Sequence, residues 1–314
     1  MTDAPLAETN EDNNNTQVRK YDSGDSYNGE FKNGIKEGKG TYTYKNGDIY
    51  KGSWKNDKKE GEGTYTYKKG DKYEGSWKNG LKDGKGTYTY KNGDKFEGVW
   101  EDGKRKGKGI FHFNNGDQYD GEFKDGKREG KGIYNYHNGN IYDGNWKNGK
   151  REGYGELTYE DGHNYKGNWI DGKEDGKGIL TYKNGEKYDG EFKKGIREGT
   201  GTYEYKNGNK YEGKWENGKK NGKGTFTFNN GDKYVGDFKD DKIEGEGILT
   251  YKSGDKYEGN WANGKKNGKG KYTFSNGYIY DGEWVNDIKE GSGVFYFGDN
   301  KKEGETVNDN SDGK

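Results

Sequence analysis

Three kinds of side chain recur in this sequence at spacings that could do chemistry: carboxylates just after turn glycines, clustered basic residues, and tryptophans in phase. The carboxylates are Asp48, Asp71, Asp94, Asp117, Asp232 and Asp255, each following an X-Gly pair. A row of such oxygens could hold calcium, but the dense Gly-Gly-x-Gly-x-Asp spacing of calcium β-helices is missing, so they read as turn residues. The basic clusters include Lys104-Arg105-Lys106, Lys127-Arg128 and Lys150-Arg151. Set in loops along one edge, they would offer cations to phosphoinositide headgroups. Glu129 and Glu152 in the same loops favour a solvated edge of mixed charge instead. The eight tryptophans, Trp54, Trp77, Trp100, Trp146, Trp169, Trp215, Trp261 and Trp284, would line an aromatic face on which a partner segment can lie.

Other chemistries find no support. His112, His137 and His163 share no common position in the pattern below, and there is no cysteine, so no zinc site is expected. No nucleophile, base and acid stand together as a set. Gly-x-Gly recurs but opens no helix that would cradle phosphate. Neither a catalytic residue, a cofactor nor a metal is expected.

The elements that must carry these residues follow from composition and period. Only 24% of residues are hydrophobic, too few aliphatics for a layered core, yet 16% are aromatic and 60 are glycine, which points to order of an unusual kind. The formal net charge is zero, so nothing draws the chain as a whole to nucleic acid. Tyr27, Tyr50, Tyr73, Phe96, Tyr119, Tyr142, Tyr165, Tyr188, Tyr211, Tyr234, Tyr257 and Tyr280 fall 23 residues apart without interruption. Taking that ring as position one, position three is always Gly, five always Trp or Phe, twelve and fourteen always Gly, and eighteen always Tyr or Phe.

Each copy reads as a β-hairpin. Tyr50, Gly52 and Trp54 alternate with Lys51, Ser53 and Lys55, and Gly61, Gly63, Tyr65 and Tyr67 alternate with Glu62, Thr64 and Thr66. Period two means strands with one apolar and one polar face. Asn46-Gly47, Asn92-Gly93, Asn115-Gly116 and their equivalents mark two-residue turns with positive φ at both central residues. The other connection, as at Lys32 to Glu37, reads as longer and polar. Gly29, Gly38 and Gly40 fall on the ring face, where rings can cover bare backbone. The expectation is an all-β chain, an elongated single-layer antiparallel β-meander or solenoid of twelve 23-residue β-hairpin repeats, roughly 115 Å long at ~4.8 Å per strand. Residues 1–16 read as a disordered acidic tail without a signal peptide, 17–26 as a half-repeat cap, 27–302 as the array, and 303–314 as a disordered polar tail.

The run Tyr73, Gly75, Trp77, Gly80, Gly84 and Gly86 resembles the MORN (membrane occupation and recognition nexus) repeat. The resemblance implies elongated β arrays found in junction, cytoskeletal and ciliary scaffolds, with phospholipid, dimerisation and peptide-like ligands. In relatives that are kinases or methyltransferases a separate catalytic domain follows the array, so the repeats themselves imply no enzyme. The expected function is a non-catalytic scaffold docking protein partners or a second copy of itself. The alternative is a peripheral phospholipid-binding module using Lys104, Arg105, Lys106, Lys127, Arg128, Lys150 and Arg151. Nucleic acid is not an expected partner. The expected location is the cytoplasm, alongside cytoskeleton or membrane.

Overall fold

The computed structural model of the chain describes residues 16–297 and 300–304. The expectations for residues 1–15 and 305–314 lie outside the described residues. Two units are distinguished, Met1–Glu160 and Asp161–Lys314.

All described elements are strands, and each is antiparallel to the strands before and after it within its unit. The first unit runs from β1 (Thr16–Lys20) through β2 (Ser26–Lys32), β3 (Ile35–Thr43) and β4 (Ile49–Lys55) to β13 (Lys150–Thr158). The second runs from β14 (Asn164–Ile170) and β15 (Lys173–Thr181) to β25 (Ile288–Phe297) and β26 (Asn300–Gly304). Each copy thus gives two antiparallel strands, as expected from the two alternating runs, of unequal length, as in the seven residues of β4 and the nine of the strand that follows it. β1 starts at Thr16 and β26 ends at Gly304, so both end strands reach slightly into the segments that the sequence reads as tails.

The turns differ from the sequence reading. Asn46-Gly47 does not close a two-residue loop. The Gly47 N–H donates to the Tyr44 carbonyl at 2.8 Å and the Tyr44 N–H to the Asp48 carbonyl at 2.9 Å. Gly47 has φ +89°, whereas Asn46 is not left-handed. This is a three-residue loop, a type I turn followed by a bulged glycine. The Asn46 side chain accepts the Asp48 N–H at 2.9 Å, which is why Asn suits that place. The two-residue turn is instead the connection expected to be longer. Lys32 pairs with Ile35, and Asn33 and Gly34 both turn left-handed, at φ +51° and +77°. Both connections carry an X-Gly signal, so the dipeptide alone could not tell them apart.

In three copies an Asp replaces the second turn glycine, at Asp57, Asp241 and Asp287. A non-glycine residue at positive φ is strained, and each Asp offsets this with a bond across copies. The carboxylates accept the N–H of Lys36, Lys220 and Lys266 at 2.9, 3.0 and 2.9 Å.

The core is the ring face. Tyr50, Tyr73 and Tyr188 are fully buried, and so are their equivalents in the other copies. Each lies flat over a glycine pair that faces it across two strands, as Tyr73 does over Gly75 and Gly86. A Cβ on Gly86 would stand 2.6 Å from the Tyr73 Cζ, so the ring and a side chain cannot share that space. Gly38 does a different job from the one its spacing suggests. It sits at φ +81° in a bulge between the Gly29–Gly40 and Phe31–Lys36 pairs, and a Cβ there would meet the Glu30 carboxylate, not a ring.

Candidate functional site

Position five closes the core between copies. Trp77 packs edge-to-face on Tyr73 of its own copy and on Tyr50 of the preceding one, both at 5.2 Å. Its Nε1 donates to the Gly63 carbonyl at 3.2 Å. The hydroxyl of Tyr73 donates to the Ser76 carbonyl at 2.9 Å, opposite the bulge where the ladder is interrupted. A second set of rings, at positions sixteen and eighteen, forms a ladder that reaches solvent. From Tyr42 the centroid steps are 4.6 Å to Tyr44, 5.6 Å to Tyr65, 4.5 Å to Tyr67 and 5.9 Å to Tyr88. Most of these rings are half-buried.

Cations lie over the rings. The Lys59 ammonium stands 4.4 Å from the Trp77 centroid and 4.7 Å from Tyr65, and burial lowers its pKa to about 8. Burial likewise brings Lys82 to about 8. The Arg128 guanidinium is 4.4 Å from Trp146 and donates to the Gly149 carbonyl at 2.7 Å, bridging to the next tight turn. Such contacts contribute about 0.5–2 kcal/mol each.

Carboxylates tie successive copies together. Asp71 accepts the Tyr88 hydroxyl at 2.7 Å and the Lys91 N–H at 2.9 Å, both in the copy that follows. Asp117 does the same with Tyr134 and His137, at 2.7 and 2.8 Å, and its Oδ1 also lies 3.0 Å from the His137 Nδ1. The carboxylates are therefore inter-repeat straps. Among the described residues no three His, Asp or Glu side chains converge as metal ligands would.

Within each unit the element of construction is thus a hairpin whose Tyr, two glycines and Trp or Phe interlock with the next copy every 23 residues. The MORN repeat model matches twelve times in succession, over residues 27–277 and 280–302. The chain belongs to the MORN repeat family. Among solved structures, the Drosophila melanogaster SAS-4 (dCPAP) TCP domain in complex with a proline-rich motif of Ana2 (dSTIL) is 17% identical to this array. That likeness covers 60% of this chain and 97% of the other, with a TM-score of 0.33. The Danio rerio CPAP TCP10 domain in complex with a STIL peptide is 9% identical, covering 89% of this chain and 94% of the other, with a TM-score of 0.18. No curated protein matches the chain.

Within this MORN array the sequence-derived candidates fall into two groups. The eight tryptophans are buried, the most exposed at 6%, so they form the core beneath any docking surface; the half-buried tyrosine ladder is what solvent meets. The basic residues sit on strands, not loops, because the tight turns take only two residues. Lys104 and Lys106 lie on β9 (Lys104–His112), Lys127 on β11 (Lys127–Asn135) and Lys150 on β13, all exposed. Lys104 pairs with Asp125 at 3.2 Å, and Lys106 pairs with Glu101. Arg105, Arg128 and Arg151 turn inward over rings. Period two assigns alternate residues to opposite faces, and that parity was the available signal separating the arginines from the flanking lysines. The straps were not foreseen. Their signal was the recurrence of Asp at position twenty-two with Tyr at position sixteen of the following copy.

The titrating groups set a pH window. Burial pushes Asp71 up, but the bonds from Lys69, Tyr88 and Lys91 outweigh it and hold it at about 2. Asp117 is held at about 2, against its burial, by the His137 N–H, the Tyr134 hydroxyl and other donors. A depressed carboxylate stabilises the fold above its unfolded value of ~3.9, and that stability drains as pH falls through the folded value. Burial raises the Tyr73 and Tyr188 hydroxyls above the ordinary ~10. That stability is complete below pH ~10 and drains as pH rises through the folded values. The expected stability profile, measured by urea unfolding at each pH, is a plateau with an acid limb between pH ~4 and ~2 and an alkaline limb starting near pH ~10. The Asp71→Asn/Asp117→Asn double variant should be less stable at neutral pH and show a shallower acid limb. An acid limb identical to that of the parent chain would refute the strap assignment.

Proposed function

We propose that this MORN array is a non-catalytic interaction scaffold that docks protein partners, a second copy of the chain among the candidates, along its half-buried ring ladder. The observation behind the reading is repetition. A catalytic site needs different groups converging at one place, whereas the ladder repeats a ring pair in nine of the twelve copies, with Leu157, Leu180 and Leu249 at position sixteen in the others. Rings spaced 4.5 to 5.9 Å apart, flanked by cations and hydroxyls, suit an extended segment that contacts several copies at once. Among the described residues no helix is long and apolar enough to cross a membrane. The cytoplasm, alongside cytoskeleton or membrane, is the setting proposed for it.

A second reading has its own observation. Lys104, Lys127 and Lys150 place one exposed ammonium per copy beside successive tight turns, a row that anionic headgroups could meet. One experiment separates the two. The full chain and a Tyr44→Lys/Tyr67→Lys/Tyr90→Lys variant are used to capture proteins from cell extract, and both are sedimented with vesicles of phosphatidylcholine, with and without phosphoinositide. Docking on the ladder predicts protein partners retained by the parent, lost from the variant, and no sedimentation with either vesicle. Salt-sensitive sedimentation with the anionic vesicles, abolished by Lys104→Glu/Lys127→Glu/Lys150→Glu, would replace the scaffold reading with the lipid one.

A further inference from the structure

Position ten supplies most of the cations that lie over the rings. Ten of the twelve copies place Lys or Arg there; copy seven places Glu174 and copy ten Ile243. Glu174 is half-buried on β15, paired across the strands with Trp169 of β14. Its Oε2 approaches to 3.1 Å from where a Cβ would stand on Gly195, against the tight turn that follows β16 (Lys187–Lys193). In copies four, five and eight the same relation is made by an arginine, as Arg105 donates to the Gly126 carbonyl at 2.7 Å, Arg128 to the Gly149 carbonyl at 2.7 Å and Arg197 to the Gly218 carbonyl at 2.8 Å. In copy seven the sign is reversed. Glu174 makes no ion pair or side-chain hydrogen bond among the described residues, and the Gly195 carbonyl receives no side-chain donor there.

The surroundings of Glu174 still suit a cation. Tyr165 and Phe192, buried and edge-to-face at 5.1 Å, hold the places that Tyr50 and Trp77 take under the Lys59 ammonium in copy two. At position sixteen Leu180 replaces the usual ring. Aromatic faces are electronegative, so a carboxylate next to them is disfavoured while a cation is attracted. Lys194, exposed in the facing turn, makes no ion pair with Glu174.

We propose that copy seven is a docking point for an arginine side chain of a protein partner, held between the Glu174 carboxylate and the Gly195 carbonyl over the Tyr165 and Phe192 rings. This deepens the scaffold reading and rests on it. Arginine fits better than lysine because two acceptors flank the site and a planar fork can reach both. The array's own Arg197 shows the geometry, lying 4.5 Å from the Trp215 centroid while it donates to the Gly218 carbonyl.

The test uses the full chain labelled at leucine methyls, titrated with N-acetyl-arginine N-methylamide and followed by NMR. The sequence has five leucines, Leu6, Leu81, Leu157, Leu180 and Leu249, so the signals are separable. Leu249 is the built-in control, since it holds position sixteen in copy ten beside Ile243 instead of a carboxylate. The expected result is a saturable shift at Leu180 and none at Leu249, with no shift from the uncharged citrulline analogue. Glu174→Gln should bind about tenfold more weakly. Glu174→Arg, which supplies its own guanidinium, should not respond at all. Equal shifts at Leu180 and Leu249, an equal response to citrulline, or parental affinity in Glu174→Gln would overturn the site. A chain that captures partners but leaves Leu180 unmoved overturns this site alone. A probe bound at Leu180 by a chain that captures no partner supports the site and overturns the scaffold.

Discussion

Trp77→Ala is expected to remove about 3–5 kcal/mol of stability, the cost of emptying a core site of that size. Trp77 is 5% exposed and is shared between copies, touching Tyr50 and Tyr65 of one and Tyr73 of the next. Its loss also leaves the Lys59 ammonium without its nearest ring and the Gly63 carbonyl without the indole donor. Because each copy packs only on its neighbours, the damage should be local. Hydrogen exchange should accelerate in β5 (Lys58–Thr66), β6 (Lys72–Lys78) and β7 (Leu81–Thr89) well before it does in β11. The chain supplies its own milder substitution, since Phe31, Phe123, Phe192 and Phe238 fill the same position in other copies. Trp77→Phe should therefore cost about 1–2 kcal/mol, for the smaller ring and the lost indole bond. Urea unfolding of both variants checks the ratio. Equal costs for Phe and Ala would mean that the hydrogen bond, and not ring packing, holds the copies together.

Much of this fold was readable because its period is short and uninterrupted. Alternation in Tyr50 to Lys55 and in Gly61 to Tyr67 gave the strands and their faces, and strict glycines at positions three and fourteen gave the ring-over-backbone core. What escaped the sequence depended on geometry that residue types share. Asn33-Gly34 and Asn46-Gly47 are the same dipeptide, yet only the first has both residues left-handed, because strand register decides which loop is two residues long. Gly38 and Gly40 look alike by spacing, yet one makes a bulge and the other makes room for a ring. For the candidate site, basic composition along the edge was legible, but the bulge between Gly121 and Phe123 is what brings Arg128 opposite Phe123 on the ring face. The exception at Glu174 was in plain view as the one acidic residue at its position, but its meaning needed the other copies' arginines seen over their rings.

Gly86→Val should be as damaging as losing the ring itself, costing about 3 kcal/mol. Gly86 has ordinary strand backbone, so no penalty comes from φ. The penalty is steric, because the added carbons would enter the space of the Tyr73 ring. That ring cannot yield, being fixed edge-to-face against Trp77 at 5.2 Å and Trp100 at 5.3 Å, with its hydroxyl on the Ser76 carbonyl. Gly80 provides the contrast. It lies at φ +87° in a tight turn with open space around its would-be Cβ, so Gly80→Ala should cost only the left-handed penalty of about 1–2 kcal/mol. A double-mutant cycle makes the distinction sharp. Tyr73→Ala removes the obstacle, so adding Gly86→Val to it should cost little, a coupling of about 2–3 kcal/mol. Gly80→Ala should add to Tyr73→Ala with no coupling beyond measurement error. If Gly86→Val were as costly without the tyrosine as with it, bare backbone under the ring would not be the reason for glycine at that position.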